Sequence, residues 1–483
     1  MLNKIQLKNW FAIKPIPFFI IIVMSIIFWQ FDTPDGLTAP AYHTAIIFIA
    51  TIAAIITNVM PTGSLAIISL ACYATLKAGG EEESATAIKN AMTDFNNGLI
   101  WLIVIAFMIA LAFTKTGLGR RIALILLSKF GHSTLRIAYC LGIADFLIAP
   151  ATPSNTARSA IISPIANSLA KTVNEQDRKL GQFLISSSSA MNDSSAIGFQ
   201  TGFAGNLALV GIASSVVGIK LSFTDWAMYL LVPALFLLVL LPFVLYKFIN
   251  PKTQDTSEAP KFAKKELSNM GKVTLNEFKL IITFLTLIFL WVGGVALNID
   301  ATTAAFIGLS MLLISGVLSW DDIKGEKGAW DTLIWFSVLM GMAGNLKKLG
   351  FTDWVGNMIS DLLTHYLSHS SSLIFLLAMM TFYLFTAYFF ASATAKVVAL
   401  APVILGALVT LNVDPMLSVL AIAGITNIGC NLATYSHARN PLLMGYGYHT
   451  DKEWMKIGLV ISIVGAISFL LIGLLWWEIL GIV

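Results

Sequence analysis

Long uncharged apolar runs recur along this chain, and they leave very few folds open to it. Trp226 to Tyr246, Leu280 to Leu297 and Ile457 to Trp477 each carry no Asp, Glu, Lys or Arg. About 20 apolar residues in a helix cross a hydrocarbon core of about 30 Å, so each run is long enough to span one. Composition agrees, with 57% of residues hydrophobic and 12% charged, where soluble domains carry about a quarter charged. Transmembrane strands would be short and alternating, whereas these runs are continuous and rich in Leu, Ile, Ala and Gly. The expected fold class is an all-α polytopic membrane protein.

Met1 to Lys14 is basic and leads into an apolar stretch with no small-residue cleavage site. Residues 1–40 therefore read as an N-terminal segment and first membrane helix. Cys72, Cys140 and Cys430 stand singly in apolar surroundings, which suggests packing and gives neither a disulfide framework nor paired metal ligands. A net charge of +4 is small for this length and points to no nucleic-acid partner. No cofactor is expected.

The placement of lysine and arginine carries more. Clusters at Lys4 to Lys14, Lys115 to Arg136, Lys171 to Lys179 and Lys247 to Lys279 alternate with acidic or neutral turns. Placing the clusters in the cytoplasm gives about eleven crossings and two segments that enter and return on one side. The amino terminus is then inside and the carboxyl terminus outside a bacterial-type inner membrane. Lys347 and Lys348 fall outside in this count, against the rule. The stretch around Pro251 and Pro260 has no apolar run and reads as a cytoplasmic linker, residues 249–278, between units at 41–248 and 279–483.

The two units share landmarks. Ser154-Asn155-Thr156-Ala157-Arg158 with Pro164 matches Ser392-Ala393-Thr394-Ala395-Lys396 with Pro402. Thr201-Gly202-Phe203-Ala204-Gly205-Asn206 matches Tyr435-Ser436-His437-Ala438-Arg439-Asn440 in its alanine and final asparagine. Ile100-Trp101 matches Ile334-Trp335. The offsets are 238 (154 to 392), 234 (206 to 440) and 234 (101 to 335). In the charge-based topology, the helix taken to begin at Ile100 and the one taken to begin at Ile334 run in opposite directions, so the repeat is inverted. Inverted repeats place a substrate near the bilayer midplane, where broken helices meet, and allow access to alternate between faces.

Each Ser-x-Thr segment follows a stretch of breakers or small residues, Pro150 to Pro153 in one and Ala391 in the other, and opens an apolar helix. Each reads as the tip of a re-entrant hairpin, whose free N–H groups, hydroxyls and helix dipole would hold one carboxylate. Serine and threonine also bond back to their own helices, but duplication at matched positions favours a ligand site. Arg158 and Lys396 occupy equivalent places and are candidates for fixed positive charge, with snorkelling as the alternative. His437 and Arg439 are further candidates for positive charge, facing an aqueous vestibule, and Thr201 and Gly202 for unwound backbone lining a cavity. Asp145 and Asp193 are acidic residues in membrane-like stretches, available to pair with these cations or to relay protons.

At these residues the sequence resembles the divalent anion/sodium symporter family, in particular its citrate/succinate antiporters and 2-oxoglutarate/malate translocators. The resemblance covers nearly the whole chain. It rests on Pro153 to Arg158, on the run Lys327 to Phe336, and on Leu432-Ala433-Thr434-Tyr435 followed by Gly445-Tyr446-Gly447-Tyr448. It implies a homodimer, a scaffold domain, a mobile transport domain bearing two hairpins, and elevator-like movement. It further implies that Ser154, Asn155 and Thr156 contact one carboxylate of a dicarboxylate substrate, and Ser392 and Thr394 the other. Ala393 departs from the family's usual Ser-Asn-Thr and removes an oxygen that sodium-coupled members use. The expectation is therefore exchange, with fixed charge replacing at least one sodium ion.

A sodium-coupled symporter is the rival within transport. A membrane-embedded enzyme would need a nucleophile with its base, or a metal set such as His-Glu-x-x-His, and neither pattern occurs. An anion channel fits broken, inverted hairpins less well than an occluding carrier does.

Overall fold

The computed structural model describes residues 13–366 and 371–482. Most of the basic cluster Lys4 to Lys14 lies outside the described residues; Lys14 itself donates to Thr57 O at 3.4 Å. Among the described residues there is no β-strand, only an isolated bridge between Ser133 and Asp255.

Helices α1 (Pro15–Trp29), α2 (Ala39–Ile56), α3 (Thr62–Leu76), α4 (Ser84–Ala91), α5 (Gly98–Thr116) and α6 (Leu118–Phe130) lead into a hairpin. This hairpin 1 consists of α7 (Thr134–Ile148), a 3-10 turn at Ala149–Ala151 and α8 (Asn155–Asn174). Helix α9 (Arg178–Gly198) is then broken from α10 (Ala204–Val216) by a 3-10 turn at Gln200–Gly202, and α11 (Phe223–Ile249) follows. After α12 (Glu258–Met270) come α13 (Leu275–Leu297), α14 (Ala301–Ile314), α15 (Trp320–Gly325), α16 (Lys327–Lys348) and α17 (Phe351–Tyr366). Hairpin 2 is α18 (Ser372–Phe385), a 3-10 turn at Thr386–Phe389 and α19 (Ala393–Thr410). Helix α20 (Pro415–Ile428) is broken at Gly429–Asn431 before the short α21 (Asn440–Met444), and α22 (Asp451–Ile479) ends the chain.

Local chemistry sets the boundaries. The long helices α11, α13 and α22 each start at a capping box, Ser222 with Asp225, Thr274 with Glu277 and Thr450 with Glu453, which satisfies end donors that lack intrahelical partners. Helix α9 is the hub: every residue from Leu180 to Gly198 is buried, and it packs against α7, α8, α11 and α20. Its serines make it too polar to register as a span by hydropathy.

Among the described residues, eight helices are long and apolar enough to cross a membrane, and five shorter apolar helices accompany them. Ile334 and Trp335 sit about two turns inside α16 rather than at its start, because nothing between Lys327 and Leu333 breaks the helix. The segment read as a linker carries α12, which packs on α6. There Arg121 donates to Glu277 at 2.6 Å and to the carbonyls of Gly271 and Lys272.

Candidate functional site

Both hairpin tips end where a helix begins. Ser154 caps α8, its Oγ accepting from Ala157 N at 3.1 Å, and Ser392 caps α19, accepting from Ala395 N at 3.3 Å. Each hydroxyl oxygen is engaged with backbone and keeps its O–H as a donor. Ser154, Thr156 and Ser392 are half-buried, whereas Asn155, Ala393 and Thr394 are buried. Both tips border one segment: Pro153 O accepts from Ala204 N at 2.9 Å, and Ala393 packs with Ala196, Phe203 and Cys430.

Arg158 is fully buried and does not snorkel. Its Nε faces both carboxylate oxygens of Asp145 at 3.2 Å. Its Nη1 donates to Thr152 O at 2.6 Å and Gly202 O at 2.5 Å, and its Nη2 to Asn155 Oδ1 at 3.1 Å and Asn192 O at 3.2 Å. Four oxygens from the hairpin tip and the broken helix thus form a cage around the guanidinium, of the kind that suits a cation. Thr201 donates from Oγ1 to Pro150 O, tying the helix break to the tip. Gly202 lets the break fold back onto the end of α9, since a methyl there would come within 3.0 Å of Ala196 O.

Arg439 is fully buried too, so it forms no vestibule wall in this structure. It donates to Asn192 Oδ1 and Asp193 Oδ2, each at 2.5 Å. Asn155 reaches Asp193 Oδ1 at 3.2 Å, and Asn192 donates to Asp145 Oδ1 at 2.8 Å. The six side chains close a ring: Asp145, Arg158, Asn155, Asp193, Arg439, Asn192. Its two arginines and two aspartates cancel in charge, which is what burial of such groups demands. His437 is buried, accepts from Arg439 N at Nδ1 and lies 6.1 Å from the Phe203 ring.

Lys396, the counterpart of Arg158, is equally buried but has no carboxylate within ion-pair distance among the described residues. Its Nζ lies 4.2 Å over the Tyr383 ring and 3.4 Å from Tyr383 O. A small void beside it, lined in part by Ala387, Phe390, Ala393 and Cys430, is too small to admit a water molecule.

Sequence reasoning missed Tyr383, and it placed Asn192 and Thr426 only within polar clusters, Asn192 to Asn206 and Gly424 to Asn440, that interrupt helices. A signal was available in the 234 offset. Asn206 donates to Ala196 O and Phe199 O, and Asn440 to Cys430 O and Ala433 O, so four acceptors and two donors keep one spacing. In both places an asparagine satisfies carbonyls released by a helix break.

Two tips and two broken helices around a buried polar centre, within an apolar helical bundle, define a membrane transporter of the secondary-carrier type. By sequence, the chain belongs to the family described as the sodium:sulfate symporter transmembrane region, matched over residues 13–483. The protein YflS of Bacillus subtilis (strain 168) is 39% identical over 98% of this chain and 98% of its own. Dicarboxylate transporter 2, chloroplastic, of Spinacia oleracea is 37% identical over 93% of this chain and 79% of its own. Among solved structures, the YdaH transporter of Alcanivorax borkumensis matches with a TM-score of 0.57 at 13% identity, covering 91% of this chain and 99% of that one, which is a likeness of fold.

Proposed function

We propose that this chain exchanges dicarboxylates of the succinate, malate and 2-oxoglutarate class across the cell membrane. The observation that carries this reading is the occupied oxygen cage: where a sodium ion would find Thr152 O, Gly202 O, Asn155 Oδ1 and Asn192 O, Arg158 already stands. Relatives named as dicarboxylate transporters at 34–38% identity support the substrate class.

The ring is neutral and Lys396 adds one positive charge, so the empty site carries a charge that no carboxylate among the described residues offsets. Moving such a charge through a low-dielectric surround is costly. A dianion held at the tips offsets the lysine with one of its two negative charges, and the O–H and N–H donors of Ser154, Asn155, Thr156, Ser392 and Thr394 stabilise the other. The loaded site then moves and the empty one does not, and that difference is exchange. In this reading the two units are an inverted repeat, hairpins and broken helices form a mobile domain moving elevator-fashion against a scaffold, the protein is a homodimer, and the amino terminus is cytoplasmic.

Counterflow in proteoliposomes tests the proposal. Uptake of labelled succinate should require internal dicarboxylate and ignore a sodium gradient. Uptake into empty vesicles driven by sodium alone would overturn it and favour the symporter that the family's name describes.

A further inference from the structure

The hairpins are tethered very differently. From residues 150–158 of hairpin 1, five hydrogen bonds leave the hairpin: Thr201 to Pro150 O, Ala204 N to Pro153 O, Asn155 to Asp193, and Arg158 to Gly202 O and Asn192 O. From residues 386–396 of hairpin 2, every hydrogen bond among the described residues ends within the hairpin. Its tip meets its surroundings through small apolar contacts, Ala393 against Phe203 and Cys430, and Ala387 against Gly429.

Hairpin 1 is also strapped from behind. The glycine-rich segment Gly445 to His449 lies along α8 and α9. The Tyr446 hydroxyl bonds that of Ser163 at 3.1 Å, and Tyr448 donates to Asn167 Oδ1 at 2.9 Å, one helical turn further along α8. The Tyr448 ring lies flush on Gly181, where a methyl would come within 2.2 Å of it, and His449 Nε2 meets Ser186 Oγ at 2.8 Å. Hairpin 2 has no such strap. The counterparts of Ser163 and Asn167 at the 238 offset are Ala401 and Leu405, which carry no polar side chain.

We propose that hairpin 2 is the single gate of the binding site, and that Tyr446, Tyr448 and His449 are positioning residues that hold hairpin 1 as a fixed wall. The inference rests on the transport reading for what passes the gate, though not for the motion itself. Segments open in order of the interactions they must break. Hairpin 2 parts from its surroundings by breaking one hydrogen bond, Tyr383 to Thr426, and its apolar packing on α10, α17 and α20, while hairpin 1 must break five hydrogen bonds and the strap as well as its own packing.

Thiol accessibility tests this on the purified full-length protein without any ligand. Cys430 lies buried beneath hairpin 2 and is the natural reporter once Cys72 and Cys140 are changed to serine. Thr152→Cys, in a background with Cys430→Ala, reports on hairpin 1, where Thr152 is equally buried. With N-ethylmaleimide, and rates normalised to denatured protein, Cys430 should react at least tenfold faster than the thiol at position 152. Adding Tyr446→Phe and Tyr448→Phe, which remove hydroxyls and keep the rings, should accelerate labelling at 152 at least threefold and leave Cys430 unchanged. Equal rates, faster labelling at 152, or no labelling of Cys430 would overturn the single gate. An unchanged rate at 152 without the hydroxyls would overturn the strap. Succinate should slow labelling of Cys430; labelling that keeps the predicted order yet ignores every dicarboxylate counts against the substrate reading and leaves the gate standing.

Discussion

Tyr383 stands under the cation of hairpin 2 as Asp145 stands under the cation of hairpin 1, at the 238 offset that separates Lys396 from Arg158. The parallel extends to a third residue. Asn192 donates to Asp145 at 2.8 Å, and Thr426, at the 234 offset, bonds the Tyr383 hydroxyl at 2.9 Å. The same arrangement occurs at both hairpins, with a carboxylate at the first and a neutral ring at the second.

Restoring the carboxylate should spend the lysine's charge. Tyr383→Asp is expected to raise the KM for succinate about tenfold or more, equivalent to about 1.4 kcal/mol or more of lost binding. Tyr383→Phe loses only the bond to Thr426, about 1 kcal/mol of stability, and should leave KM within about twofold. Counterflow kinetics of the two variants check both expectations.

Emptying the oxygen cage should create a demand for an external cation. Arg158→Ala leaves Asp145 buried and unpaired, a loss of about 3–5 kcal/mol. Thermal unfolding in detergent should show that loss in choline chloride and a partial recovery in sodium chloride. Recovery that is equal in both salts would show that the cage has no use for sodium.

The link between α5 and α15 should weaken in acid. The side-chain hydrogen bond from Lys115, with the backbone and hydroxyl donors of Ser319, holds the Asp322 carboxyl down to about 2 from its ordinary 3.8. A carboxyl with a depressed pKa contributes stability above its unfolded value and loses it as pH falls through the folded one. Protection of backbone amides in Trp320–Gly325 should therefore decline between about pH 4 and pH 2. The decline should be absent in Asp322→Asn, whose protection is low throughout, as hydrogen exchange with mass detection would show.

Close packing behind the second helix break should tolerate no added carbon. A methyl at Gly458 would lie 1.9 Å from Asn431 O, so Gly458→Ala must push α22 away, at an overpacking cost of about 1–3 kcal/mol. Gly344, within α16, has open space around it. Gly344→Ala should be neutral or gain up to about 1 kcal/mol from helix propensity, and melting temperatures of the two variants would separate the cases.

Much of this architecture is legible in the sequence because it is written locally. The serine caps at Ser154 and Ser392, the prolines at Pro150 and Pro153, and the matched asparagines Asn206 and Asn440 each mark a place where a helix starts or breaks. What stays hidden is written across space. Asp145 and Arg158 meet only because α7 and α8 fold back on each other, and Asp193 meets Arg439 across 246 positions. A list of charged residues in apolar stretches names these groups as candidates without saying which pair with one another and which wait for a ligand. The docking of α12 is equally silent, since Arg121 reaches carbonyls just past its end that carry no sequence identity.

The side-chain ring has a consequence for how the molecule is made. Five of its six members are synthesised early, and the last, Arg439, emerges from the ribosome 246 residues after Asp193. Until then Asp193 lacks its guanidinium partner, and within the ring only Asn155 reaches it. Arg439 is the residue that closes the ring.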